Sequence, residues 1–190
     1  MKKKSFADFV YEMGALRQIR RTPFLNIFDN TDSVADHTFR TMLIAYYLAG
    51  EEGLDIEKVL TYALFHDTTE VRCGDNFNIQ KKYIKREEKS AVEDIAEGLG
   101  EFGERLKAIL EKYEDRQEPE TKLVKDADII ELYTTLLENS YNGSKYSAKY
   151  IEKVAPFDEM LHFKSSVALL KNLFETDPDN FVDQIKAQRV

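Results

Sequence analysis

The stretch Leu64-Phe65-His66-Asp67-Thr68-Thr69-Glu70-Val71 joins an imidazole and a carboxylate through one peptide bond. Both side chains can reach a single divalent cation, provided that other segments deliver further ligands. Ile56, Val59, Leu60, Ala63 and Leu64 precede the pair at helical spacing, which places His66 and Asp67 at the C-terminal end of a helix that starts near Asp55. Glu70 then lies one helical turn beyond them. Where the remaining ligands sit relative to this helix end decides the architecture.

Upstream, Ser33-Val34-Ala35-Asp36 has the form of a capping box with Asp in the Glu position, so His37 falls in the first turns of another helix. That helix continues through Phe39, Met42, Leu43, Ile44, Tyr46, Tyr47 and Leu48, apolar on more than one side, until Gly50 and Gly53 weaken it. It is therefore expected to be central. Before it, Phe6, Phe9, Val10, Met13, Leu16 and Ile19 predict an amphipathic helix over 5–20. This helix ends near Arg20-Arg21-Thr22-Pro23, and Phe24 to Asp32 reads as a loop.

Downstream, Val71 to Gln80 has no period and reads as an extended loop, and 81–113 carries two charged helices. After a break at Arg116-Gln117-Glu118-Pro119, a long helix runs from about Glu120 to the stop at Asn142-Gly143-Ser144. A Tyr-rich segment, a helix after Pro156 containing Leu161 to Phe174 and a short tail after Pro178 follow. With no strand pattern and no repeat, the expected fold class is an all-α helical bundle in one domain over 1–190. Its motifs lie in 5–140, and 141–190 is left for a cap or a dimer contact.

Composition bounds the function. The 43% hydrophobic and 12% aromatic content supports a real core. Thirty-five acidic against 27 basic residues give a net charge of -8, which argues against a nucleic-acid polymer as partner, whereas a small phosphate ester fits a local cationic site. The single cysteine, Cys73, has no internal disulfide partner, and no apolar run approaches the roughly 18 residues of a membrane span. Met-Lys-Lys-Lys-Ser-Phe-Ala-Asp-Phe at the start lacks the apolar stretch of a signal peptide. A cytoplasmic protein with no membrane partner is expected.

A fourth ligand must come from elsewhere. Asp128 is in line with Val124, Leu132 and Thr135, an apolar stripe where an unpaired carboxylate would be costly and a cation would relieve it. Asp126 is in register with Ile129, Ile130, Tyr133 and Leu137. Periodicity alone leaves both open. Plainer readings stand beside the site: a helix-start histidine bonded to a carbonyl at His37, an ion pair at Asp128, and a surface pair between Glu70 and Arg72. His162 reads as packed or half-exposed, Cys73 as a bystander, and Lys81, Lys82, Lys85 and Arg86 as a solvated face. Tyr133, Tyr141, Tyr146 and Tyr150 read as core and packing residues.

Taken together, Ser33-Val34-Ala35-Asp36-His37, Ala63 to Val71 with Gly74-Asp75, and Leu123-Val124-Lys125-Asp126-Ala127-Asp128 resemble the HD-domain metal phosphohydrolases, and more narrowly their 5'-deoxynucleotidase branch. The resemblance covers roughly residues 5–140. It implies an all-α fold, a homodimer, and one divalent transition metal (Mn, Co, Fe, Ni or Zn) held by His37, His66, Asp67 and Asp128. Asp128 is favoured over Asp126 because the last ligand of the family follows Ala in a Lys-x-Ala-Asp run. It also implies removal of phosphate from nucleoside 5'-monophosphates by a metal-bound water. Glu70 would orient or deprotonate the attacking water or pass a proton to the leaving 5'-oxygen, Asp75 would contact the sugar hydroxyl or help in proton transfer where it does not simply form the turn after Gly74, and Arg21, with its neighbour Arg20 as competitor, would bind phosphate. Thr22 stands where some members carry an aromatic residue and Phe24 where others have Trp. Phe24 is the candidate substrate contact, and both deoxyribo- and ribonucleotides stay within the expected range. Another phosphate ester with the same site, or a nucleotide-binding protein without turnover, are the alternatives.

Overall fold

The computed structural model describes residues 4–22, 32–77, 79–153 and 156–182. Among them the architecture is all-α, with one isolated antiparallel bridge between Arg20 and Ser33. The helices are α1 (Phe6–Gly14), α2 (Val34–Glu52), α3 (Ile56–Phe65), α4 (Glu70–Cys73), α5 (Glu88–Ala96), α6 (Glu101–Asp115), α7 (Pro119–Tyr141), α8 (Lys145–Ile151), α9 (Phe157–Met160) and α10 (Lys164–Glu175).

Local chemistry sets the ends of the central helices. The Ser33 hydroxyl accepts the Asp36 N–H while the Asp36 carboxylate accepts the Ser33 N–H, which satisfies the exposed donors at the start of α2. The Asp55 carboxylate caps α3 by accepting the Lys58 N–H at 3.1 Å, and Pro119 opens α7, where its missing N–H costs nothing. Between these ends α2, α3 and α7 all pack against one another. Ala45, Leu48 and Ala49 of α2 meet Val59, Tyr62 and Ala63 of α3 and Leu123, Val124, Ala127 and Ile130 of α7. Alanines at this seam let the backbones approach closely. Each fully buried Leu or Ile contributes about 1.5–3 kcal/mol by leaving water. A second cluster of Phe9, Ile95, Leu106 and Leu110 ties α1 to α5 and α6. There Gly103 is needed, because a Cβ would come within 2.4 Å of the Ala96 carbonyl oxygen.

Three segments depart from their sequence patterns, each through a contact the pattern does not contain. The first helix stops at Gly14 and a 3-10 turn carries Ala15–Gln18, short of the predicted residue 20. Beyond it the chain is drawn into extended pairing with the start of α2, the Arg21 N–H donating to Asp32 O and the Val34 N–H to Ile19 O, both at 2.9 Å. The segment expected to be an extended loop from Val71 contains the helical turn α4. The single helix expected after Pro156 is split into α9 and α10, because at the break the backbone N–H groups of His162 and Phe163 donate to the buried Asp126 carboxylate. Tyr133 is buried, but Tyr141 is 51% exposed, so not all of the tyrosines are core residues.

Candidate metal centre

The C-terminal end of α3 delivers the site. After Phe65 the backbone turns tightly, with Thr68 N–H donating to Phe65 O and Glu70 N–H to Asp67 O, each at 3.0 Å. The turn keeps His66, Asp67 and, on α4, Glu70 on the same side of the chain. Gly74, at φ 68°, ends α4 in a conformation that favours glycine and lets Asp75 turn back toward the site.

Four side chains from three segments converge there. His37 Nε2 lies 3.2 Å from His66 Nε2, 3.2 Å from Asp128 Oδ1 and 3.4 Å from Asp67 Oδ2. The same Asp67 oxygen is 3.2 Å from His66 Nε2. One ligand atom each from His37, His66 and Asp128 all lie within 4.8 Å of one another. Partners on the far side of each ring assign the tautomers. His66 Nδ1 donates to the Ala63 carbonyl at 2.7 Å, and His37 Nδ1 is hydrogen-bonded to the Glu131 carboxylate. Each Nε2 is therefore left with its lone pair pointing at the other. Two acceptors face to face need a proton or a cation between them. Separations of 3.2–3.4 Å are those of neighbouring N and O ligands on a cation with bonds of about 2.0–2.2 Å, so these residues fit a divalent metal.

Without a cation, protons take its place. Burial works against a charge on His37, but hydrogen bonds from Asp128 and Glu131 outweigh it and raise the imidazole to about 10. Burial likewise opposes the Asp67 and Asp128 carboxylates. His66 above all for Asp67, and His37 for Asp128, hold them well below the usual carboxylate range. Glu70 goes the other way: burial, then the charges of Asp67 and Asp75, push its carboxyl up to about 9. Adjacent acids thus take opposite states, Asp67 charged and Glu70 protonated.

Arg21 leans over this cluster. Its Nη1 is 3.4 Å from both Asp67 Oδ2 and Asp75 Oδ2, and its Nη2 is 3.6 Å from Asp128 Oδ1. Burial disfavours its charge, but the three carboxylates hold it firmly protonated. Asp75 anchors the segment by accepting the Thr22 N–H at 2.7 Å, while the Thr22 hydroxyl donates to the Asp75 carbonyl. Arg20 is exposed and pairs its backbone with Ser33, so Arg21 alone of the two reaches the cluster. Together with Glu70 and Lys125 these groups line one cavity of about 450 Å³.

The family model described as HD domain matches residues 13–160. The chain belongs to the HD-domain family. Among curated relatives, 5'-deoxynucleotidase HDDC2 of Dictyostelium discoideum is 30% identical over 89% of this chain and 94% of its own length. The 5'-deoxynucleotidase hdd1 of Schizosaccharomyces pombe is 30% identical over 76% of this chain and 78% of its own. Among solved structures, a conserved hypothetical protein from Pyrococcus furiosus superposes with a TM-score of 0.72 at 25% identity, covering 90% of this chain and 99% of that one. A predicted metal-dependent phosphohydrolase from Magnetospirillum magnetotacticum shares the fold, with a TM-score of 0.67 at 21% identity over 90% and 92% of the two chains.

Other sequence candidates fall elsewhere in this HD domain. Asp126 is fully buried and turns away from the cavity, taking the backbone N–H groups of His162 and Phe163 and, at 2.6 Å, His162 Nδ1. Arg72 pairs with Glu12 and Asp94 and not with Glu70. Phe24 lies outside the described residues. Two residues of the site carried no sequence signal. Glu131, 4% exposed, holds His37 from behind and is itself held by the Thr135 hydroxyl at 3.1 Å. Arg86, from the run read as a solvated face, lines the cavity. A helical-wheel projection could have found Glu131, which is three positions after Asp128 on the same face.

Proposed function

We propose that this HD domain hydrolyses the phosphomonoester of deoxyribonucleoside 5'-monophosphates to the nucleoside and inorganic phosphate. The observation that carries this reading is the convergence of two imidazole Nε2 atoms and two carboxylates beside a cavity that also holds an arginine and a proton-carrying glutamate. His37, His66, Asp67 and Asp128 would hold one divalent transition metal, with Mn, Co, Fe, Ni and Zn all compatible with mixed nitrogen and oxygen ligands. The metal, when bound, activates a water and polarises the phosphoryl group.

The chain's own residues supply the rest. The Arg21 fork binds phosphate oxygens and places the phosphorus over the cluster. Asp75 keeps Arg21 and Thr22 in place. Glu70 lines the same cavity and carries a proton, which it can hand to the 5'-oxygen as the P–O5' bond breaks, while the proton released by the attacking water restores it. Protein loaded with Mn or Co is expected to release phosphate from deoxynucleoside monophosphates and to leave phosphodiesters intact. His66→Ala and Asp67→Ala are expected to abolish release, and undiminished turnover in both variants would refute the reading.

The HD domain is further proposed to act as a homodimer in the cytoplasm. Phe39, Leu43, Tyr46 and Tyr47 are all more than half exposed along one stripe of α2, an apolar face of the kind that marks a protein contact. No helix among the described residues is long and apolar enough to cross a membrane. Sedimentation analysis should show a dimer that Leu43→Glu converts to a monomer. A wild-type monomer at micromolar concentration would count against the assembly.

A further inference from the structure

The basic run that follows the site is not uniform. Lys85 is 87% exposed, as a solvated face requires, but the side chain of Arg86 is only 18% exposed and lines the same cavity as Arg21, Glu70 and Asp128. Its charge is balanced by nearby acids, but its hydrogen-bonding capacity is not filled. Nη2 is 3.8 Å from Glu70 Oε1, beyond hydrogen-bonding reach. Nε is buried and forms an ion pair with Glu88 Oε1 at 2.9 Å, but without the alignment of a hydrogen bond. On the facing carboxyl, Glu70 Oε2 is buried without a partner. A donor and an acceptor, both out of water and both unsatisfied, sit on the same side of one cavity. Buried polar atoms are ordinarily paired, so such a couple marks a position that a ligand completes.

The missing ligand must offer acceptors to a guanidinium and a donor to a carboxylate oxygen. A phosphate monoester next to its attacking water offers both. Charge points the same way: Asp67, Glu70, Asp75 and Asp128 all border the cavity, and Arg21 is already flanked by three of these acids. A phosphate dianion entering this field gains from a further cation on the Glu70 side, where Arg86 lies. We infer that Arg86 is a second phosphate-binding arginine, gripping the substrate from the Glu70 side while Arg21 grips it from the side of Asp75. This assignment rests on the phosphomonoesterase reading above.

The test compares Mn-loaded wild type with Arg86→Gln and Arg86→Lys. It measures kcat and KM for a deoxynucleoside monophosphate and the inhibition constant of inorganic phosphate, with melting temperature as the check on folding. Losing a charge-assisted contact to phosphate is expected to raise KM and the phosphate constant together by about 10- to 100-fold in Arg86→Gln. Lysine restores the charge but not the fork, so Arg86→Lys should raise both constants by a smaller factor, at least about threefold. Both constants within twofold of wild type in either folded variant would overturn the assignment, and so would a fall in kcat alone, which would make Arg86 a positioning residue for Glu70. Failure of the activity itself is separable. If wild type releases no phosphate from any monophosphate, calorimetric titration with inorganic phosphate still reads the Arg86 contact, and equal affinity in wild type and Arg86→Gln would reject it.

Discussion

Asp126 and Asp128 stand two positions apart on α7 and are both withdrawn from water, yet the two faces they occupy behave oppositely. On the α10 face, Asp126 receives two backbone N–H groups and an imidazole, all donors, at 2.6–3.0 Å. On the cavity face, Asp128 meets His37 Nε2 at 3.2 Å and shares its remaining contacts with the side-chain cations Lys125 and Arg21. The first carboxylate is complete without any further partner. The second pairs Oδ2 with Lys125 but leaves Oδ1 beside the His37 ring with Arg21 only at 3.6 Å, a position that a cation would complete. A buried acid whose donors are fixed in the chain serves folding, and one whose neighbours are themselves acceptors serves a ligand.

Exchanging each carboxylate for its amide should separate the two faces. Asp128→Asn is expected to lower both metal affinity and turnover by more than about 100-fold, the upper range for loss of an outer partner, because here a ligand itself is lost. Asp126→Asn turns an acceptor into a donor opposite buried N–H groups and should cost about 1–3 kcal/mol, seen as a melting temperature several degrees lower, with metal affinity unchanged. Calorimetric metal titration and thermal unfolding of both variants read the outcome. Equal metal loss in the two would erase the distinction between the faces.

A smaller effect sharpens the cavity side. Glu131 accepts from His37 Nδ1 and so keeps Nε2 free for the cluster. Glu131→Gln is expected to weaken metal binding by about 10- to 100-fold while the fold is retained. Arg40, 3.9 Å away, and Thr135 would still hold the amide in place, so the loss would report basicity and tautomer control and not collapse. Affinity unchanged to within threefold would remove Glu131 from the site.

What could be read from the sequence alone was what local chemistry decides. The Ser33–Asp36 capping box, the break before Pro119 and the stop at Asn142-Gly143 involve only near neighbours, and each lies where its pattern places it. Periodicity also put Asp128 on an apolar stripe, but it left Asp126 equally eligible. What separates them is a pair of backbone amides thirty-six and thirty-seven residues further on. Arg21 and Arg20 are adjacent and chemically identical, and only the extended pairing of 19–21 with 32–34 turns one inward. Arg86 was hidden for a similar reason. A charged run reads as solvated unless one knows that the chain between Lys82 and α5 folds over the cavity. Composition and spacing see neighbours in the chain, whereas these assignments depend on neighbours in space.

A third acid on the same helix sets the scale for the other two. Glu118, the N-cap residue of α7, lies at the surface, where it accepts from the Tyr62 hydroxyl at 2.5 Å and faces Lys58 at 3.1 Å. The Tyr62 hydrogen bond first, then Lys58, hold its carboxyl down to about 2. A carboxylate whose folded value is depressed stabilises the fold above its unfolded value near 4.5, and that contribution is lost as pH falls from there through about 2. Because water and salt reach this pair, the whole effect should stay below about 1 kcal/mol. Metal-free wild type and Tyr62→Phe should therefore differ slightly at pH 7 and converge as the solution is acidified below about 4.5, while the Glu118 carboxyl, followed by NMR, titrates at a higher pH in the variant. An unshifted titration would mean that Tyr62 contributes packing alone. A shift without a stability difference would show that solvent screening erases, at the exposed end of α7, the charge energetics that its two buried aspartates retain.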